Sequence, residues 1–211
     1  MQEAVVFVHG IWMKGLEMTL LRRRVSAEGY RCYQFSYASL FSPPSKNAAQ
    51  LNHFLMQKVE ADVVHIVAHS LGGIVVSHLL EAFPHQKPGR LVLLGSPLRG
   101  SAVAKHIYRS VLTRGLLGCS VQRGLLGDAP PLKVQRDIGM VAGVQGVGMG
   151  TVFMLGGLEK PNDGTVSVKE TDVGVLTEHL QVPYSHFSML WAEPVAMAVV
   201  SFLRYGRFDR G

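Results

Sequence analysis

Three runs in this sequence, Ala4–Val8 (AVVFV), Val63–Val67 (VVHIV) and Leu91–Leu94 (LVLL), carry almost nothing polar to face water. A strand that alternates polar and apolar residues can leave one face in solvent, but a continuous apolar run cannot. Such strands belong inside a sheet covered on both faces, which means helical crossovers and largely parallel pairing. The segments between them fit that scheme. Met13–Ala27, Asn47–Val59, Leu71–Phe83 and Pro194–Arg204 have helical spacing, and Arg31–Tyr37, Gly139–Val144 and His179–Val182 read as further strands, with "SPPSKN" as a loop. The expected fold is therefore α/β, a mostly parallel central sheet of about six strands with helices on both faces, formed by residues 1–211 as one domain.

The apolar content of 47% against 17% charged residues excludes a disordered chain. The net charge of +6 favours anionic surfaces, but no aromatic-interleaved basic cluster points to nucleic acid. Cys32 and Cys119 read as two free thiols, with one disulfide as the alternative, and no apolar run approaches the ~20 residues that span a bilayer. The N-terminus, MQEAVVFVHG, has no basic stretch of a signal peptide, so a cytoplasmic protein is expected. Ser101–Gly150, rich in Gly, Leu and Arg, is the irregular part, expected as helix plus a cap or mobile excursion.

Ala68-His69-Ser70-Leu71-Gly72 follows the strand Val63–Val67 and opens the helix after it. A tight strand-to-helix turn forces its central residue into a strained conformation and requires small residues two before and two after. Ser70 is thus a candidate nucleophile, against the plain alternative of a Ser helix cap. The run "VVFVHGIW" ends another strand at His9-Gly10, and its Ile11 N–H, with the Leu71 N–H, could face a developing oxyanion. A serine nucleophile needs a base, and the base needs a group to orient it. His186, in "VPYSHFSML", lies between the last strand and the last helix, whereas His179 falls within the strand. Asp163, in "KPNDGTVSV", precedes that strand, and Asp172 and Asp128 are alternatives. Trp12 and His69, beside the two loops, are candidates to line a substrate pocket. The histidines are scattered without metal-ligand spacing, so no metal and no cofactor is expected.

Together, "VVFVHGIW", "VHIVAHSLGGIVV", "LVLLGSPLRGS", "PNDGTVSV" and "SHFSML" resemble the α/β-hydrolases of the lipase/esterase group. The resemblance is to the small lid-poor bacterial lipases and the lipase-like domain of glycosylphosphatidylinositol-inositol deacylases, and it runs through nearly the whole chain in the family's order. It implies Ser70 as nucleophile, His186 as general base, Asp163 as its orienter, and the Ile11 and Leu71 N–H groups as oxyanion hole. "GSPLRGS" resembles the family's stretch that helps wall the site, and Ala68 stands where the usual motif has Gly, a swap also seen in small bacterial lipases.

The implied activity is hydrolysis of carboxylic esters through an acyl-enzyme. A thioesterase or an acyltransferase would use the same triad, and a non-catalytic binding protein on this fold is a reading from another class. The expected partner is a small-molecule ester or acyl substrate, with lipid among the candidates, and Gly139–Gly157 with Trp12 suggests either an apolar acyl pocket or ordinary core. In Ser101–Gly127, a helix would place Val103, Ile107, Val111 and Leu112 on one side and Lys105, His106, Arg109 and Arg114 elsewhere. That side either packs on the sheet or makes transient contact with a membrane surface.

Overall fold

The computed structural model describes residues 2–132, 136–148 and 157–209. Six strands, β1 (Glu3–Val8), β2 (Arg31–Phe35), β3 (Val63–His69), β4 (Leu91–Leu94), β5 (Ile138–Gly143) and β6 (Glu178–Val182), form one sheet in the order β2-β1-β3-β4-β5-β6. Every pairing is parallel. Val8 lies opposite Ala68, His69 opposite Leu94, and Gly143 opposite Val182, so these strands end along one common edge.

Alternate side chains feed two cores. Ala4, Val6 and Val8 of β1 join Val64, Ile66 and Ala68 of β3 on one face, while Val5, Phe7 and Val67 point to the other. The first face is covered by α2 (Pro44–Lys58), α3 (Leu71–Ala82) and α4 (Ala102–Arg109) through Leu51, Val75 and Ile107. The second is covered by α1 (Thr19–Ala27) and a long C-terminal helix, Glu193–Tyr205, through Leu21, Val25, Val199 and Phe202. Each such side chain, fully buried, stabilises the fold by about 1.5–3 kcal/mol before conformational entropy is counted.

Several boundaries differ from the sequence reading. The helix expected from Asn47 begins at Pro44, because proline at the first helical position lacks only an N–H that has no helical acceptor. The segment expected as one helix from Met13 becomes a 3-10 turn, Leu16–Met18, preceded by Gly15 at φ 95° and followed by α1. β2 stops at Phe35, and Tyr37 turns inward to stack on His9 with ring centroids 4.2 Å apart.

The stretch after β4 folds against the sheet. Ser101 caps α4 by accepting the Ala104 N–H, and Val103, Ala104 and Ile107 enter the core with Leu117 of the following 3-10 segment, Arg114–Val121, and Leu125 beyond it. The expected stripe of Val103, Ile107, Val111 and Leu112 is broken. The helix ends at Arg109, Thr113 Oγ1 donates to the Ile107 carbonyl, and Val111 and Leu112 are left 74% and 94% exposed. Of the irregular stretch and of the proposed acyl-pocket run, residues 133–135 and 149–156 lie outside the described residues.

Candidate active site

Ser70 sits where β3 gives way to α3, with φ 52° and ψ −121°. This conformation costs a residue with a Cβ on the order of 1–3 kcal/mol and must be held by its surroundings. Ser70 N–H donates to the Leu94 carbonyl at 2.9 Å, and its own carbonyl accepts from Gly73 N–H at 3.1 Å. The start of α3 is pressed against the end of β1: a Cβ on Gly72 would come within 2.5 Å of the Val8 carbonyl oxygen. The glycine two residues after Ser70 is therefore a packing requirement of the turn.

Gly10 passes over the same turn. A Cβ there would lie 3.1 Å from both Ser70 Cβ and His69 Nδ1. The chain direction beyond it is fixed from below. His9 donates from Nδ1 to the Gly10 carbonyl, while its Nε2 accepts the Tyr37 N–H and its carbonyl accepts the Tyr37 hydroxyl. Burial lowers the His9 pKa, which suits the neutral ring that this acceptor role needs. The Ile11 and Leu71 N–H groups meet no acceptor among the described residues. Trp12 follows at φ 61°, donating its N–H to Ser39 Oγ and its indole N–H to the Leu116 carbonyl.

Asp163 and His186 form a buried pair, His186 Nδ1 to Asp163 Oδ2 at 2.6 Å. The Asn-Asp-Gly turn builds the acceptor. Asp163 Oδ1 takes the N–H groups of Thr165 and Val166 at 2.9 and 2.7 Å, leaving Oδ2 for the imidazole. Backbone pairing adds to this, with His186 N–H donating to the Asp163 carbonyl at 2.9 Å. Because Nδ1 carries the donated proton, Nε2 is left as the basic nitrogen.

Gly95, at the end of β4 with φ 55°, makes room for the pair: a Cβ would lie 3.0 Å from both Asp163 Oδ2 and His186 Nδ1. The sequence reading placed "GSPLRGS" beside the site without singling out this residue; the glycine directly after an apolar strand was the signal available.

The other candidates lie apart from this cluster. His179, on β6, has its Nε2 3.1 Å from Thr171 Oγ1. Asp172 is exposed after the short helix α5 (Val168–Thr171), and Asp128 is an exposed turn residue accepting the Gly124 N–H. His69, expected as a pocket candidate, lies behind His186. It is fully buried, its Nε2 donates to the His186 carbonyl at 3.0 Å, and its ring packs on His186 with centroids 4.6 Å apart. That hydrogen bond ties the end of β3 to the backbone of His186.

The sequence profile of the alpha/beta hydrolase family matches residues 5–199. The chain belongs to the α/β-hydrolase family. Its fold is similar to the mature form of a Bacillus licheniformis lipase (TM-score 0.74, 20% identity, 98% of this chain and 93% of that one). A Legionella pneumophila phospholipase (TM-score 0.75, 13% identity, 98% and 61%) and a metagenomic carboxyl esterase (TM-score 0.65, 15% identity, 98% and 71%) share it. The chain spans 52% of the propeptide form of the Bacillus licheniformis lipase. No curated protein sequence matches it. Among the described residues, no cluster of three or more His, Cys, Asp or Glu could hold a metal ion, and no helix is long and apolar enough to cross a membrane.

In this α/β-hydrolase, burial first, and then the proximity of His186, holds the His69 pKa well below 6.5. The unfolded chain therefore takes up a proton near pH 6.5 that folded His69 refuses, and the associated stability is present above that pH and lost below it. The slope is at most about 1.4 kcal/mol per pH unit for one histidine. Urea midpoints from pH 7.5 to 5.5 are expected to fall more steeply for the native chain than for His69→Gln. Parallel curves for the two would show that His69 titrates normally.

Proposed function

We propose that this protein is a serine hydrolase of carboxylic esters, with Ser70, His186 and Asp163 as its catalytic triad. The observation that carries this reading is the buried Asp163–His186 hydrogen bond, beside a serine held at positive φ on a strand-to-helix turn. Ser70 Oγ attacks the acyl carbon while its proton passes to His186 Nε2. The Asp163 carboxylate, fixed by the Thr165 and Val166 N–H groups, stabilises the imidazolium at Nδ1. The Ile11 and Leu71 N–H groups stabilise the oxyanion, a contribution of about 10²–10³ in rate for each donor. The imidazolium then protonates the leaving alcohol. In the second half, His186 takes a proton from water, whose oxygen attacks the acyl-enzyme; the acyl–Oγ bond then breaks as the imidazolium returns the proton to Ser70 Oγ, releasing the acid. The lipase and esterase activities named for proteins of similar fold agree with this chemistry.

The test is a fluorophosphonate probe followed by peptide mass analysis, alongside turnover of p-nitrophenyl esters and matched acyl-thioesters. One adduct on the Ser70 peptide and faster turnover of the oxygen esters are expected. An adduct on another residue, or none on the folded protein, overturns the triad; preferential thioester turnover overturns the substrate class.

A further inference from the structure

Large apolar side chains gather in solvent at the strand edge that carries Ser70. Trp12 follows β1, Phe41 lies beyond β2, and Val111, Leu112 and Leu116 follow β4 and α4. Phe41 is 85% exposed and Leu112 is 94% exposed. Hydrogen bonds tie these segments into one surface. The Trp12 indole donates to the Leu116 carbonyl at 2.7 Å, Trp12 N–H reaches Ser39 Oγ, and Cys119 N–H donates to the Leu40 carbonyl at 2.8 Å. An apolar patch fixed by its own backbone in this way marks an interaction surface more than loose packing.

The charge around it has one sign. No Asp or Glu occurs from Gly29 to Val59 or from Ala82 to Gly127. Lys105, Arg109 and Arg114 are exposed beside Val111 and Leu112, with no carboxylate in ion-pair distance among the described residues. The acids flanking these segments in sequence are engaged elsewhere, as is Glu170, which accepts the Ala102 N–H at the start of α4. Glu17 accepts the Gly15 N–H, Glu81 pairs with Arg123, and Asp128 accepts the Gly124 N–H. Apolar side chains at a tip, collared by unpaired cations, fit an anionic bilayer: the tip enters the acyl boundary and the cations lie at the headgroups.

We infer that the surface formed by Trp12, Phe41, Val111, Leu112 and Leu116 docks this protein on anionic lipid bilayers. The orientation turns the strand edge with Ser70 toward the membrane. Docking needs no turnover, so it is measured separately from the proposed hydrolysis and stands or falls on its own.

The experiment uses Trp191→Phe protein, in which Trp12 is the remaining tryptophan, with vesicles of phosphatidylcholine alone or mixed with phosphatidylglycerol. At low salt, the mixed vesicles are expected to co-sediment the protein and shift Trp12 emission to the blue, and high salt should release it. Leu112→Asp should weaken binding about tenfold or more, the effect of one inserted leucine. Arg109→Gln and Arg114→Gln should each weaken it about fivefold. All three positions are exposed, so the fold and turnover of a soluble ester should be unchanged. Failure of the native surface to bind mixed vesicles at low salt overturns the inference, as does undiminished binding by Leu112→Asp. A dimer that ignores vesicles and is dissolved by Leu112→Asp also overturns it, assigning the surface to a second copy of the chain.

Discussion

Ser70→Ala is expected to abolish fluorophosphonate labelling and to lower kcat for a p-nitrophenyl ester by about 10⁶-fold, leaving the fold intact. The hydroxyl is the only group the substitution removes, and among the described residues the bonds that hold residue 70 run through its backbone, to Leu94 and from Gly73. Alanine keeps a Cβ at φ 52°, so the urea midpoint should match that of the native chain. Ser70→Gly separates catalysis from conformation. It is equally inactive, but it removes the Cβ from a strained backbone and should be at least as stable as the native protein. If Ser70→Ala keeps its label, the nucleophile is another residue. If Ser70→Gly is clearly less stable, the turn is not strained by its side chain.

Sequence pattern carried the sheet because apolar continuity is a property of single segments. β1, β3 and β4 are each surrounded by helices, and their composition says so without reference to what packs on them. The same holds for Ser70, Asp163 and His186 as candidates, since each lies in a short motif with its own steric or turn logic. What depended on approach between distant segments was not legible. His69 looks like a pocket residue because it adjoins Ser70, yet its Nε2 is bonded to the His186 carbonyl, 117 positions away. Gly95 is one of many glycines until Asp163 and His186 are seen to occupy the space where its side chain would be. The end of α4 was hidden for a related reason. Val111 and Leu112 continue an apolar pattern, but Thr113 closes the helix on the Ile107 carbonyl, and the two residues emerge into solvent. Periodicity predicts a face only as far as the helix lasts.

Asp163→Asn should lower kcat by about 10²–10⁴-fold with little change in KM, and the reason lies in how the turn holds the side chain. Asp163 Oδ1 accepts two backbone N–H groups, from Thr165 and Val166. An asparagine there must keep its carbonyl oxygen in that position, because its NH2 would face two donors. The NH2 is then turned toward His186 Nδ1, where Oδ2 stood. Two donors cannot share that contact, so the imidazole adopts the other tautomer, accepting at Nδ1 and carrying its proton on Nε2. A protonated Nε2 cannot take the Ser70 proton, and the site stays assembled but inactive. Asp172→Asn, an exposed change beyond α5, should leave kcat within about twofold. The decisive comparison is kcat and KM for the two variants on one ester, with an NMR measurement of the His186 tautomer in Asp163→Asn. A crippled Asp172→Asn beside a nearly normal Asp163→Asn would move the orienting carboxylate to the other residue. An inactive Asp163→Asn that still holds its proton on Nδ1 would instead show that the carboxylate acts through its charge and not through the tautomer.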